Sequence, residues 1–235
     1  LAELVPGVDR VMVSVLLTTA FVLLVSDYEG TTTFWSGTLS PHFPGRGPAY
    51  EVAPYFWWFA SSLVLYVGVP CLMAKVIGGP KLSELGFGLG DRKLGFRVSG
   101  ALLALMVPVV VVASRFGTFQ QQYPLCTEAL QDRTIFVIYE ISYALYFVSW
   151  EFLFRGYMLL GLRSRVGAGL AILIQTVPFA LEHSGKPEAE AYGSIVAGVA
   201  LGVLAVRTNS IWYGAGLHAC IAIIMDLLAG WSRLK

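Results

Sequence analysis

The sequence predicts an all-α protein, a polytopic bundle of about seven transmembrane helices, with six and eight bounding the count. Of its 235 residues 56% are apolar and 13% are charged, too few charges to cover a water-facing surface. The mean hydropathy is +0.69. The apolar residues fall in runs of about twenty, the length that crosses a hydrocarbon core ~30 Å thick, and most charges gather between the runs.

In order, the expected spans are 10–27, 53–77, 94–114, 134–162, 167–182, 191–206 and 210–229. The run Val11 to Val25 reads as a retained span, because it ends in Ser-Asp-Tyr-Glu rather than at a small-residue cleavage site. The Gly-, Pro-, Thr- and aromatic-rich segment 28–52 reads as an ordered hairpin on the membrane surface. The spans at 167–182 and 191–206 are short, which suggests burial within the bundle or a locally thinned bilayer. An N-inside arrangement puts nine cations on the inner side (Arg10, Lys75, Lys81, Arg92, Lys93, Arg97, Arg163, Arg165, Arg207) and six on the outer (Arg46, Arg115, Arg133, Lys186, Arg233, Lys235). The positive-inside rule favours that orientation.

A net charge of +1 with scattered basic residues argues against a nucleic-acid partner. Cys71, Cys126 and Cys220 form neither a disulfide framework nor a CxxC metal motif.

The chain divides into 1–133, with three spans almost free of ionisable residues, and 134–235, with four. The second part carries Glu151 and Arg155, then Glu182 and His183, then His218 and Asp226. A charge at the centre of a membrane helix costs ~2.5–3.5 kcal/mol even on lenient scales, so these groups need partners or a wet cavity. Glu151 and Arg155 are four apart on one helix face and could simply neutralise each other. With 1.5 Å of rise per residue, Glu151, His218 and His183 lie about 16, 12 and 24 Å from the inner ends of their spans. A carboxylate and two imidazoles in that layer can activate a water or ligate a metal.

The segments Trp150-Glu151-x-x-x-Arg155, Phe179-x-x-Glu182-His183 and His218 resemble the CAAX protease and bacteriocin-processing family of intramembrane endopeptidases. That family is marked by Glu-Glu-x-x-x-Arg, Phe-x-x-x-His and His-x-x-x-Asn on successive membrane helices, and the resemblance covers 134–229. It implies an intramembrane protease of the glutamate type: Glu151 deprotonates a water, His183 and His218 position it and stabilise the oxyanion, and Arg155 holds Glu151. A membrane-anchored or C-terminal protein tail would be the substrate, of the CAAX or, preferably, the sorting type, in a bacterial plasma membrane.

Two positions depart from the pattern. Trp150 stands where the resemblance places the first glutamate, the general base, and Ala222 stands where it places Asn, with Asp226 the next polar residue on that face. Either Glu151 takes the base role, or another acid does, or the chain binds peptides without cleaving them as an immunity or scaffold protein. Glu190 is a candidate substitute acid, although a glutamate at a helix start is more simply explained by the helix dipole. Glu182, adjacent to His183, points from a different face and is expected to orient its surroundings or meet solvent. No cofactor is expected. A zinc-dependent variant would need ligands from three helices, since HExxH is absent. Gly198-x-x-x-Gly202 is expected to let two helices pack closely.

Overall fold

The computed structural model describes residues 9–77 and 79–233, and for 231–233 the backbone only. Lys235, counted above on the outer side, and residues 1–8 at the start of the first predicted region lie outside the described residues, as does the side chain of Arg233.

Seven helices carry the architecture: α1 (Arg10–Glu29), α2 (Pro48–Val76), α3 (Arg92–Ala113), α4 (Arg133–Val166), α5 (Ala168–Leu181), α6 (Glu188–Thr208) and α7 (Trp212–Arg233). All but α5 are long and apolar enough to cross a membrane. The protein is an integral membrane protein of all-helical fold. Aspartates start three of the helices: Asp9 accepts from Val11 N at 2.8 Å, Asp91 from Leu94 N at 3.0 Å and Asp132 from Thr134 N at 2.8 Å. Such caps satisfy amide groups that the helix cannot pair internally.

Of the two spans expected to be short, one changes. The span expected at 191–206 runs from Glu188 to Thr208, 21 residues, and is not short. Hydropathy alone excludes Glu188 and Glu190, but acids in a first turn are favoured by the helix dipole. By contrast α5 has 14 residues, about 21 Å of rise, well under the ~30 Å of a hydrocarbon core. Segment 30–47 forms short helical turns whose aromatic rings stack, Phe34 on Trp57 at 6.2 Å and Trp35 on Phe43 at 5.7 Å.

Helix α4 is the hub. It packs against α2 and α7, and α5 lies against its second half. Residues Phe152–Leu160 of α4 are π-helical and all buried, a local widening of the turn that often accompanies function. Gly198 and Gly202 of α6 face α5: a side chain at Gly198 would meet Thr176 Cγ2 at 2.8 Å, and one at Gly202 would meet Ile172 Cγ2 at 3.2 Å. Gln175 Nε2 of α5 donates to the Gly198 carbonyl at 2.9 Å, so the glycines bring the α6 backbone within reach of an α5 side chain. Outward-facing Leu17, Phe21, Leu145 and Val177 leave an apolar surface suited to lipid.

Candidate active site

The α-helical turn of α4 just before its π-helical stretch delivers Glu151, and the π-helical stretch delivers Arg155. Both side chains are fully buried. Glu151 Oε1 lies 3.1 Å from Arg155 Nη1 and 2.9 Å from His218 Nδ1 of α7. The guanidinium carbon sits 4.0 Å from the centre of the Phe179 ring of α5, so charge on one side and a ring face on the other hold it in place. Four residues before His218, on the same face of α7, is Gly214. A Cβ there would strike Glu151 Oε2, so this glycine makes the room in which the carboxylate lies.

A carboxylate facing Nδ1 fixes the imidazole: Nδ1–H donates to Glu151, and Nε2 keeps its lone pair. Phe147 stacks on the His218 ring at 5.4 Å. His183 sits in the turn after α5, where its Nδ1–H donates to the Phe179 carbonyl at 2.7 Å. Its Nε2 is therefore a lone-pair acceptor as well. Burial lowers the His183 pKa to about 4, against the opposing effect of that hydrogen bond, so the ring is neutral at physiological pH.

Both histidines line a cavity of ≈ 1350 Å³ to which all seven helices and the turns between them contribute, α5 through Phe179. Trp150, Glu182, Lys186 and Glu190 line it too, whereas Glu151, Arg155 and Asp226 do not. Trp150 fills the space beside His183, 5.9 Å from its ring centre, and also packs on Phe154 at 4.9 Å. Glu151 thus reaches the cavity only through His218. Ala222 is buried one turn along from His218 and offers no polar atom.

Of the remaining candidates Glu190 and Asp226 have partners other than the histidines. Both oxygens of Glu190 accept from Tyr123 Oη at 2.9 Å. Asp226, fully buried, is two turns beyond His218, where it accepts from Leu125 N at 3.4 Å and Tyr139 Oη at 3.5 Å. Glu182 is at the cavity mouth, and burial, followed by the charge of Asp27, pushes its carboxyl up to about 7. Among the described residues no group of three His, Cys, Asp or Glu side chains is placed to hold a metal ion.

Residues 133–224 match the family model of the Rce1-like type II CAAX prenyl endopeptidases. That segment is a domain of this family. The match holds Glu151, Arg155, His183 and His218 and leaves α1, α2 and α3 outside. No curated protein and no solved structure matches the chain. The resemblance read from three short motifs therefore extends over the whole stretch from α4 into α7.

Sequence reasoning passed over Gly214, whose meaning depends on which helix faces it, and the aromatic stripe Tyr139, Tyr143, Tyr146 and Trp150 on α4. The stripe's three- and four-residue spacing is visible in the sequence, but such a pattern reads first as core.

Proposed function

We propose that this protein is an intramembrane endopeptidase that cleaves a membrane-anchored or C-terminal protein tail, in a bacterial plasma membrane, with His218 as general base. The observation that carries the reading is the hydrogen bond from His218 Nδ1 to buried Glu151 at 2.9 Å, with His218 on the cavity wall and Glu151 behind it. Nε2 of each histidine accepts, so a water between them donates both hydrogens and turns its oxygen lone pairs toward a bound carbonyl. The water oxygen attacks the carbonyl carbon while His218 Nε2 takes the proton, and Glu151 stabilises the resulting imidazolium. As the oxyanion collapses and the C–N bond breaks, the same proton passes to the departing amine nitrogen, leaving a carboxylic acid and an amine that exchange the acid's proton to give a carboxylate and an ammonium group. Glu151 is then a positioning residue, and Arg155 keeps it ionised in a dry setting.

The test is cleavage of a panel of membrane-anchored tails by the purified chain, with and without chelator. Loss of cleavage in His218→Ala and His183→Ala, strong loss in Glu151→Gln, partial rescue in Glu151→Asp and indifference to chelator support the mechanism. Retention of full activity in Glu151→Gln refutes it. A specific observation favours a second reading: Trp150 occupies the place where the family resemblance puts an acid. If folded wild-type protein binds tails and cleaves none, the cavity is a peptide-binding site without catalysis.

A further inference from the structure

We propose that the mouth of the cavity holds a subsite for a positively charged side chain, a lysine or arginine of the bound tail, formed by Asp27, Glu182 and the rings around them. This deepens the reading of the cavity as a tail-binding site and names the chemistry of the tail. Asp27 comes from the end of α1 and Glu182 from the turn after α5, far apart in sequence, yet both line the main cavity and a smaller one that adjoins it. The two carboxylates are near enough for the charge of Asp27 to act on Glu182. Among the described residues neither has a Lys, Arg or His within ion-pair distance. Lys186, the cavity's own lysine, answers electrostatically to Glu190 and Asp226 on the far side. Two acids held together with no counter-charge, in a wall shared by two cavities, favour a ligand that brings one.

A second observation points the same way. Tyr146 is 7% exposed and lines the cavity, with Glu182 and Tyr66 among its electrostatic neighbours, and among the described residues its hydroxyl has no hydrogen-bond partner. The ring is buried while the oxygen is not sealed off, so the hydroxyl opens on the cavity where a bound group can meet it. Beside it Tyr66 Oη and Ser26 Oγ are bonded to each other at 2.8 Å, and both line the cavity. Carboxylates, hydroxyl oxygens and the faces of Trp58, Tyr66 and Tyr146 make a set that suits an ammonium or guanidinium group. Glu182 adjoins His183, so a cationic side chain seated here lies within a few residues of the carbonyl presented to the histidines. The subsite also gives α1, which lies outside the family match, a part in choosing the substrate.

The experiment uses the full chain in maltoside micelles, which carry no cationic headgroup, and fluorescent short apolar tails identical except for one residue: lysine, arginine, norleucine or glutamate. Anisotropy should show the lysine and arginine tails binding about tenfold more tightly than the norleucine tail, the order expected for one desolvated cation site. In Asp27→Asn/Glu182→Gln, which changes charge and not shape, that ratio should fall to about one, with norleucine-tail affinity unchanged as the check on folding. Equal affinity of wild type for lysine and norleucine tails overturns the proposal, and so does a preference that survives the double substitution. A charge-dependent preference without cleavage of any tail keeps the subsite and rejects the endopeptidase. Cleavage without that preference does the reverse.

Discussion

Replacing Glu151 with Gln keeps the shape of the side chain and removes the carboxylate that, alone among the described residues, pairs with Arg155. The pair is 3.1 Å apart and fully buried. At an effective dielectric near 20 its Coulomb attraction is about 5 kcal/mol, and breaking a buried pair on one side costs about 3–5 kcal/mol because the survivor stays charged and unpaired. For a chain of this size that corresponds to a fall in Tm of about 6–20 °C. Cys126 supplies the probe: it is a buried free thiol, so in a Cys71→Ser/Cys220→Ser background labelling by a thiol-reactive dye reports unfolding. Adding Arg155→Met to Glu151→Gln removes the stranded charge, and most of the loss should return. An unchanged Tm in the single variant refutes the view that the two charges hold each other, and a double variant no more stable than the single one refutes the view that a stranded guanidinium is the cause.

Gly214→Ala should push Glu151 away from His218, lowering stability by about 1–3 kcal/mol and abolishing cleavage. Gly216→Ala, with open space at its Cβ, is the matched control in both assays. Gly198→Ala should separate α5 from α6 and cost a similar amount, read as a lower Tm beside Gly193→Ala, where the added Cβ meets nothing. His183, held down at about 4, binds fewer protons when folded than when unfolded between that value and its ordinary 6.5. Stability is therefore lost as pH falls through this window, by about 2 kcal/mol at pH 5, and Tm measured at pH 7.5 and pH 5 should drop further for wild type than for His183→Gln.

The spans were legible because hydropathy is additive along the chain and needs no knowledge of neighbours. Their ends were not, as α6 demonstrates: Glu188 and Glu190 belong to the helix for electrostatic reasons that a hydropathy window counts against them. At the site, ordered motifs were enough to single out Glu151, Arg155, His183 and His218. What they could not convey is which of these reaches the cavity. That depends on the π-helical turns after Glu151 and on the missing side chain at Gly214, and both take their meaning from α7 packing against α4. Asp27 was hidden for a simpler reason, since an acid at the end of an apolar run reads as the start of a loop.

The brevity of α5 makes the surrounding lipid a participant. Where a helix about 9 Å shorter than the hydrocarbon core meets lipid rather than the rest of the bundle, the membrane closes the gap by thinning around it, at a cost of a fraction of a kcal/mol per Å. The turn bearing Glu182 and His183 is thus drawn toward the depth of acyl chains while water and headgroups dip to meet it. In a thicker membrane the dimple becomes more costly and the route to the histidines longer. Bilayer thickness then sets how readily a polar tail reaches His183, a control that resides in the solvent of the protein rather than in its residues.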